Sequence, residues 1–163
     1  MKKVSKLKLF ELVLEQLERQ HQTLILSAQA AKNEATNEES VAENKYDTRG
    51  LEASYLAGAQ AKRAVELEEV IKIISDLKKN VSQKPVMIQS TSLVQVEIDE
   101  EEKQVFFILP KVGGVKLNSE NINITVISPQ SPLGELLMGL KKGDFFEFHI
   151  KNGVKEYVIS DFY

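Results

Sequence analysis

The sequence predicts an α+β protein in which an antiparallel helical hairpin precedes a small sheet domain. All four prolines and six of the eight glycines follow residue 84. Eight of the eleven aromatic residues follow residue 80, where they mix with Val, Ile and Thr in the composition typical of strands. We therefore predict a helical domain over residues 1–82 and a sheet domain over residues 83–163.

The two helices of the hairpin are predicted from apolar residues spaced three and four positions apart, as in the seam of a coiled coil. The first seam has His21 at its one interrupted position and consists of Leu7, Phe10, Leu14, Leu17, Leu24, Ala28, Ala31 and Ala35. The second seam consists of Leu67, Val70, Ile74, Leu77 and Val81. Two such helices satisfy each other's seams within one chain, so we expect a monomer with an antiparallel coiled-coil hairpin.

Acidic residues crowd segment 34–52, which connects the two seams. Six acids stand there against Lys45 and Arg49, a local charge of −4: Glu34, Glu38, Glu39, Glu43, Asp47 and Glu52. The heptad does not continue through this segment, so we predict an acidic turn near residues 36–52. Helical arms of about 30 to 35 residues would be about 45 to 50 Å long.

Short β-prone runs follow the hairpin, each bounded by a turn signal: 92–98, 105–109, 122–127, 144–150 and 154–160. Asn152-Gly153 is a strong two-residue hairpin signal between the last two runs. Ser131 and Pro132 resemble the N-cap and first residue of a short helix that we expect to end at Gly143. Its apolar face is formed by four leucines: Leu133, Leu136, Leu137 and Leu140. The pattern predicts a small antiparallel sheet packed against one helix.

Composition excludes several kinds of chemistry. The chain has no Cys, which rules out disulfides, thiol catalysis and Cys-ligated zinc, and only His21 and His149 remain as imidazoles. No apolar run approaches the roughly 18 residues that span a bilayer, so we expect no membrane association. Glu11 and Glu15 interrupt the N-terminal apolar stretch, unlike a signal peptide, and we expect a cytoplasmic protein with a formal charge of −3.

The second half of the chain resembles a known family. Residues 127–144 read ISPQSPLGELLMGLKKGD, and residues 152–159 read NGVKEYVI. This order of a Ser-Pro stretch, Leu-Gly, Gly-Asp and a hairpin strand is similar to the C-terminal domain of the bacterial transcript cleavage factors GreA and GreB. Together with the helical hairpin, the resemblance covers nearly the whole chain. It implies an FKBP-like fold for residues 83–163 and a coiled coil that enters the secondary channel of RNA polymerase.

The resemblance also implies a function without intrinsic enzymatic activity. Carboxylates at the tip would help to hold a Mg²⁺ ion jointly with RNA polymerase, because hard divalent cations prefer oxygen ligands. The isolated protein would bind no cofactor. The polymerase would then cleave the backtracked nascent RNA near its 3′ end, which the factor contacts only indirectly, and elongation would restart.

The tip acids depart from the family pattern Asp-x-x-Glu-Asn-x-x-Tyr. Alignment on Glu43-Asn44 places the Asp position on Ser40, beside Glu39. Alignment on Tyr55 places the two acidic positions on Thr48 and Leu51, each next to an acid. We therefore take two residues as first candidates for metal-assisting catalytic acids and two as second choices: Glu43 and Asp47, then Glu39 and Glu52.

Two alternatives stay open at this point. A homologue with displaced acids would block the channel and inhibit transcription without stimulating cleavage. An FKBP-like fold alone would also permit a peptidyl-prolyl isomerase or chaperone, although the chain has no Trp and no evident aromatic-lined proline pocket. The run of Phe145, Phe146 and Phe148 includes both faces of a strand, so we expect at least one of these rings to be exposed or to cover the helix.

Overall fold

The computed structural model describes residues 4–37, 48–81, 85–99, 102–150 and 153–163. In these ranges two long helices precede a sheet and one short helix, which confirms the predicted fold class. The elements in chain order are α1 (Lys6–Thr36), α2 (Arg49–Lys79), β1 (Leu93–Ile98), β2 (Glu102–Ile108), β3 (Lys116–Ser119), β4 (Ile122–Ile127), α3 (Pro132–Leu137), β5 (Phe145–Ile150) and β6 (Gly153–Phe162).

Helices α1 and α2 run antiparallel and have 31 residues each. Arg49 at the start of α2 pairs with Glu34 near the end of α1, at 3.0 Å. Lys78 near the end of α2 pairs with Glu11 near the start of α1, also at 3.0 Å. The predicted turn over 36–52 is too wide, because Thr36 belongs to α1 and residues 49–52 form the first turn of α2.

The chain divides into two compact units. One comprises Leu14–Ile73, and the other comprises Met1–Val13 together with Ile74–Tyr163. The first turns of α1 are thus part of the same unit as the sheet. Independent folding of residues 83–163 stays a prediction. Among the described residues, no helix combines the length and apolar character needed to cross a bilayer.

The sheet has the strand order β3-β4-β2-β1-β6-β5. All neighbouring strands are antiparallel except β2 and β4, which are parallel. Their pairing begins with Val105 opposite Ile124. The prediction of a purely antiparallel sheet is therefore wrong at this pair. The cause is β3, a short strand that the sequence analysis missed, which forms a tight hairpin with β4 through Glu120 and Asn121, both at positive φ. After this hairpin, β4 lies beside β2 and runs in the same direction as β2.

Both faces of the sheet have a covering layer within its unit, although the outward side chains at the β5 edge stay exposed. One face packs against the region of α3 through a core that includes Val96, Phe106, Leu137 and Tyr157. The other face receives the start of α1, where the ring of Phe10 meets the ring of Phe107 edge-on at 5.2 Å. In addition, the Tyr163 hydroxyl donates a hydrogen bond of 2.8 Å to the carbonyl oxygen of Val4. The start of α1 therefore serves as a covering layer of the sheet.

Helix α3 begins as the sequence predicts and ends earlier. The Ser131 hydroxyl accepts a hydrogen bond of 3.1 Å from the backbone N–H of Gly134, and Pro132 occupies the first helical position. The helix ends at Leu137 and does not continue to Gly143. Gly139 adopts φ 81° and its N–H bonds to the carbonyl of Ile88, so the chain leaves the helix to bond with the segment before β1.

Candidate functional site

Of the four predicted tip acids, the structure describes one, Glu52. Glu39, Glu43 and Asp47 lie outside the described residues. Glu52 lies in the first turn of α2 with an exposed side chain, and its Oε1 accepts a hydrogen bond of 2.7 Å from the Thr48 hydroxyl. The two first-choice acids thus stay predictions, whereas the carboxylate of Glu52 is already engaged by a neighbour one turn away.

A charged pair between described residues, Arg49 and Glu34, joins the helix ends that flank residues 38–47. Nε and Nη2 of Arg49 both donate to Oε1 of Glu34, at 3.1 and 3.0 Å. Both side chains are largely solvent-exposed, and exposed pairs of this kind contribute roughly 0 to 1 kcal/mol to stability. The pair marks where the last turn of α1 lies beside the first turn of α2. Sequence reasoning missed this pair, since its partners are separated by 15 residues across the turn.

Leu51 and Tyr55 are exposed apolar side chains on the first turns of α2. Leu51 and Tyr55 are four residues apart and therefore neighbours on one helix face. The Tyr55 side chain is 72% exposed, so it does not pack between the helices. An exposed ring of this kind can stack on a nucleic-acid base. In the alignment based on Tyr55, the two acidic positions of the family are occupied by the hydroxyl side chain of Thr48 and by Leu51.

The described residues do not by themselves provide a magnesium site. They contain no group of three or more Asp, Glu or His side chains placed to hold a metal ion. The nearest described acids on either side of 38–47, Glu34 and Glu52, are hydrogen-bonded to Arg49 and Thr48. A site for Mg²⁺ would therefore need acids from residues 38–47, among them the predicted Glu39, Glu43 and Asp47, which lie outside the described part of the chain.

Three phenylalanines of β5 divide between the two faces of the sheet. Phe146 stacks on Tyr157 with ring centroids 5.2 Å apart, and Phe148 meets the same ring edge-on at 5.9 Å. Burial, with smaller contributions from Glu102 and Asp99, raises the pKa of the Tyr157 hydroxyl. Phe145 is 66% exposed, which confirms the expectation that one of the three rings faces solvent.

The chain is similar in sequence to known proteins. The family model described as "Transcription elongation factor, GreA/GreB, C-term" matches residues 82–163. The transcription elongation factor GreA of Clostridium botulinum strain Hall is 30% identical over 118 residues, which cover 72% of this chain and 68% of that protein.

Similar solved structures are more distant. A prokaryotic transcription elongation factor GreA/GreB from Nitrosomonas europaea is 23% identical and has a TM-score of 0.38, with 50% of this chain and 64% of that chain covered. Gfh1 from Thermus aquaticus is 22% identical and has a TM-score of 0.40, with 94% and 92% covered. The match of the family model and the identity with the Clostridium protein carry the assignment: this chain belongs to the GreA/GreB family of transcription elongation factors.

Proposed function

We propose that this factor binds RNA polymerase in the cytoplasm, places the tip of its helical hairpin in the secondary channel and stimulates cleavage of backtracked nascent RNA. The observation that supports the proposal is the pair formed by Glu34 and Arg49. The pair lies where the ends of two helices of 31 residues meet, each helix about 46 Å long at 1.5 Å per residue. Residues 38–47, with the predicted acids, connect these ends.

The chemical role of the tip would be to lend ligands to another enzyme. The carboxylates of Glu43 and Asp47 would bind and orient a Mg²⁺ ion held jointly with the polymerase. When bound, such an ion lowers the pKa of an attacking water and stabilises charge on the leaving oxygen. The factor would not be an enzyme itself, and it would meet the RNA 3′ end only inside the polymerase. The sheet unit would provide the docking surface.

A second candidate function is occupation of the channel without cleavage. It is favoured by the side chains at the start of α2, because alignment on Tyr55 leaves no carboxylate at the two acidic positions. Glu52 is adjacent to one of them, and its Oε1 accepts a hydrogen bond from Thr48. A factor with this tip would fill the channel and slow nucleotide addition.

The test uses purified RNA polymerase and backtracked elongation complexes with end-labelled RNA. Replacing both tip acids (Glu43→Ala with Asp47→Ala) should reduce stimulated cleavage by about 100-fold or more, since metal ligation is worth several kcal/mol in the transition state. Affinity for the polymerase should remain close to that of the parent. The matched control is Glu68→Ala with Glu69→Ala, which removes two exposed acids of α2 away from the tip.

Each outcome decides between the candidates. Cleavage by the parent and by the control, but not by the tip variant, supports the metal-ligand role. Equal cleavage by tip variant and parent rejects that role. A parent that binds and slows transcription without cleavage supports channel blocking. A parent that does not bind the polymerase rejects both.

A further inference from the structure

The outer face of β5 and β6 carries a surface that the tip function does not use. Phe146 and Phe148 contact Tyr157 on the core side, and side chains alternate along a strand, so the remaining side chains of β5 face outward. The register places each of these outward residues opposite one of β6. We call these six residues the β5–β6 patch: Phe145 opposite Val158, Glu147 opposite Glu156, and His149 opposite Val154.

Like charges face each other at the centre of this patch. Glu147 and Glu156 are direct cross-strand neighbours, and both side chains are exposed. Among the described residues, no Lys or Arg forms an ion pair with either of them. Like charges directly opposite on a sheet are destabilising. The sheet thus carries an electrostatic cost that a cation between the two acids would remove.

Exposed apolar side chains flank the two acids on both sides. Phe145 is 66% exposed and Val154 is 49% exposed. Apolar side chains on either side of an acidic centre complement an extended segment in which every second residue, on one face, is in turn apolar and basic. This spacing is that of an extended strand, whose side chains on one face recur at every second residue.

The backbone of β5 is open to such a segment. β5 lies at one end of the strand order, so within the described part of the chain it pairs with β6 alone. Its sequence, FFEFHI, contains neither Lys nor Pro, the residues that commonly protect edge strands from pairing. The opposite edge strand, β3, has only four residues and begins with Lys116. The two edges therefore differ in protection, and β5 is the accessible one.

We propose that β5 is a docking edge for an extended segment of a partner protein in which arginine or lysine alternates with apolar residues at every second position, so that both lie on one face of the segment. The segment adds to β5 as a further strand. Its basic side chain lies against Glu147 and reaches toward Glu156, and the apolar side chain two residues away covers Phe145. A second copy of β5 would bring further acids to the same face, so the occupant is a different chain. The proposal is independent of the role of residues 38–47.

The experiment is a titration of the ¹⁵N-labelled protein, followed by NMR, with the short synthetic peptide Val-Thr-Arg-Thr-Val-Thr-Arg, in which valine and arginine alternate on one face of the extended chain. Chemical shifts should change mainly in residues 145–149 and 154–158. Glu147→Gln and Glu156→Gln should each weaken binding about threefold, in the range expected for one exposed ion pair. The same two variants should unfold at a slightly higher temperature than the parent, because each removes the like-charge repulsion.

Two controls separate strand addition from general attraction to an acidic protein. Glu68→Gln removes the same charge from an exposed site on α2 and should leave the affinity unchanged. A peptide with the same side chains and alternate backbone nitrogens methylated should bind at least about fivefold more weakly, because it cannot complete the ladder of hydrogen bonds. Scattered or absent shift changes, equal affinities of the parent and the two patch variants, or equal binding of the methylated peptide would each overturn the proposal.

Discussion

The helical unit and the sheet unit are stabilised in different ways. Among the described residues between 14 and 73, the buried side chains are one leucine and three alanines: Leu17, Ala31, Ala53 and Ala64. The sheet unit buries large side chains, among them Phe10, Phe107 and Ile74. Burial of small side chains removes less apolar surface from water and contributes less free energy. The comparison teaches that the helical unit should respond to changes in helix propensity, whereas the sheet unit should respond to changes in side-chain volume.

The largest expected effect tests the packing of the sheet unit. Phe10→Ala removes a fully buried ring that meets Phe107, and it should lower the free energy of unfolding by about 3 to 5 kcal/mol. Urea denaturation followed by circular dichroism measures this loss. Phe145→Ala is the matched control and should change stability by no more than about 0.5 kcal/mol, because the ring is exposed. Similar losses in the two variants would contradict the assignment of α1's first turns to the sheet unit.

Two glycine substitutions sharpen the comparison, since they should have opposite signs. A Cβ at Gly134 would overlap the carbonyl oxygen of Ser128, so Gly134→Ala should destabilise the protein by about 1 to 3 kcal/mol. A Cβ at Gly58 meets nothing within 4 Å in the interior of α2, so Gly58→Ala should stabilise it by about 0.5 to 1 kcal/mol. Thermal unfolding of both variants measures the difference. Lower stability of Gly58→Ala would show that side-chain packing, and not helix propensity, determines the stability of the helical unit.

A smaller effect should appear in the pH dependence of stability. Burial lowers the pKa of Lys6 from 10.5 to about 8, and its Nζ lies 5.5 Å from the centre of the Tyr163 ring. Between pH 8 and 10.5 the unfolded chain therefore holds a proton that the folded protein has lost, so this group makes stability rise with pH in that window. The variant Lys6→Met should be more stable than the parent at pH 7. Its free energy of unfolding should rise less between pH 8 and 10.5, because the titrating amine is absent.

Urea denaturation at pH 7, 8, 9 and 10 is the measurement. Burial raises the pKa of Tyr163, which opposes the rise at the alkaline end in the parent and in the variant alike. Lys8→Met, at an exposed position of the same turn, should keep the pH profile of the parent. A parent profile without a rise above pH 8, or an unchanged profile in Lys6→Met, would show that Lys6 is not desolvated by the fold.

The helical seam was predictable in part, and its errors have a physical cause. Phe10 and Leu17 are buried as predicted, whereas Leu7 is 51% exposed. Leu9 and Val13 are fully buried and were not predicted. Periodicity identifies one apolar stripe per helix, but the start of α1 packs against the sheet as well as following the seam. Such a second contact depends on residues far away in sequence, which local spacing does not report.

The sheet and the site were limited by the same nonlocal information. Four predicted strand runs and the cap at Ser131 agree closely with the structure because their signals are local. β3 was missed because its four residues, KLNS, include only one strongly apolar side chain, which is too few for an alternating pattern. At the tip, charge counting found the acids, but the bond between Glu34 and Arg49 became visible only once both helices were placed. Whether Glu43 and Asp47 act together stays a prediction.

The contact between the start of α1 and the sheet has a consequence for synthesis on the ribosome. The hydroxyl of Tyr163 and the carbonyl of Val4 are 159 residues apart in sequence. At about 5 to 20 residues per second, the apolar start of α1 waits roughly 8 to 30 seconds before this partner is made. During that interval the apolar side chains of Leu9, Phe10 and Val13, which are buried in the folded protein, can bind chaperones or other nascent chains. Slowing translation of the sheet-coding region should therefore increase aggregation of this protein, although it leaves the finished fold unchanged.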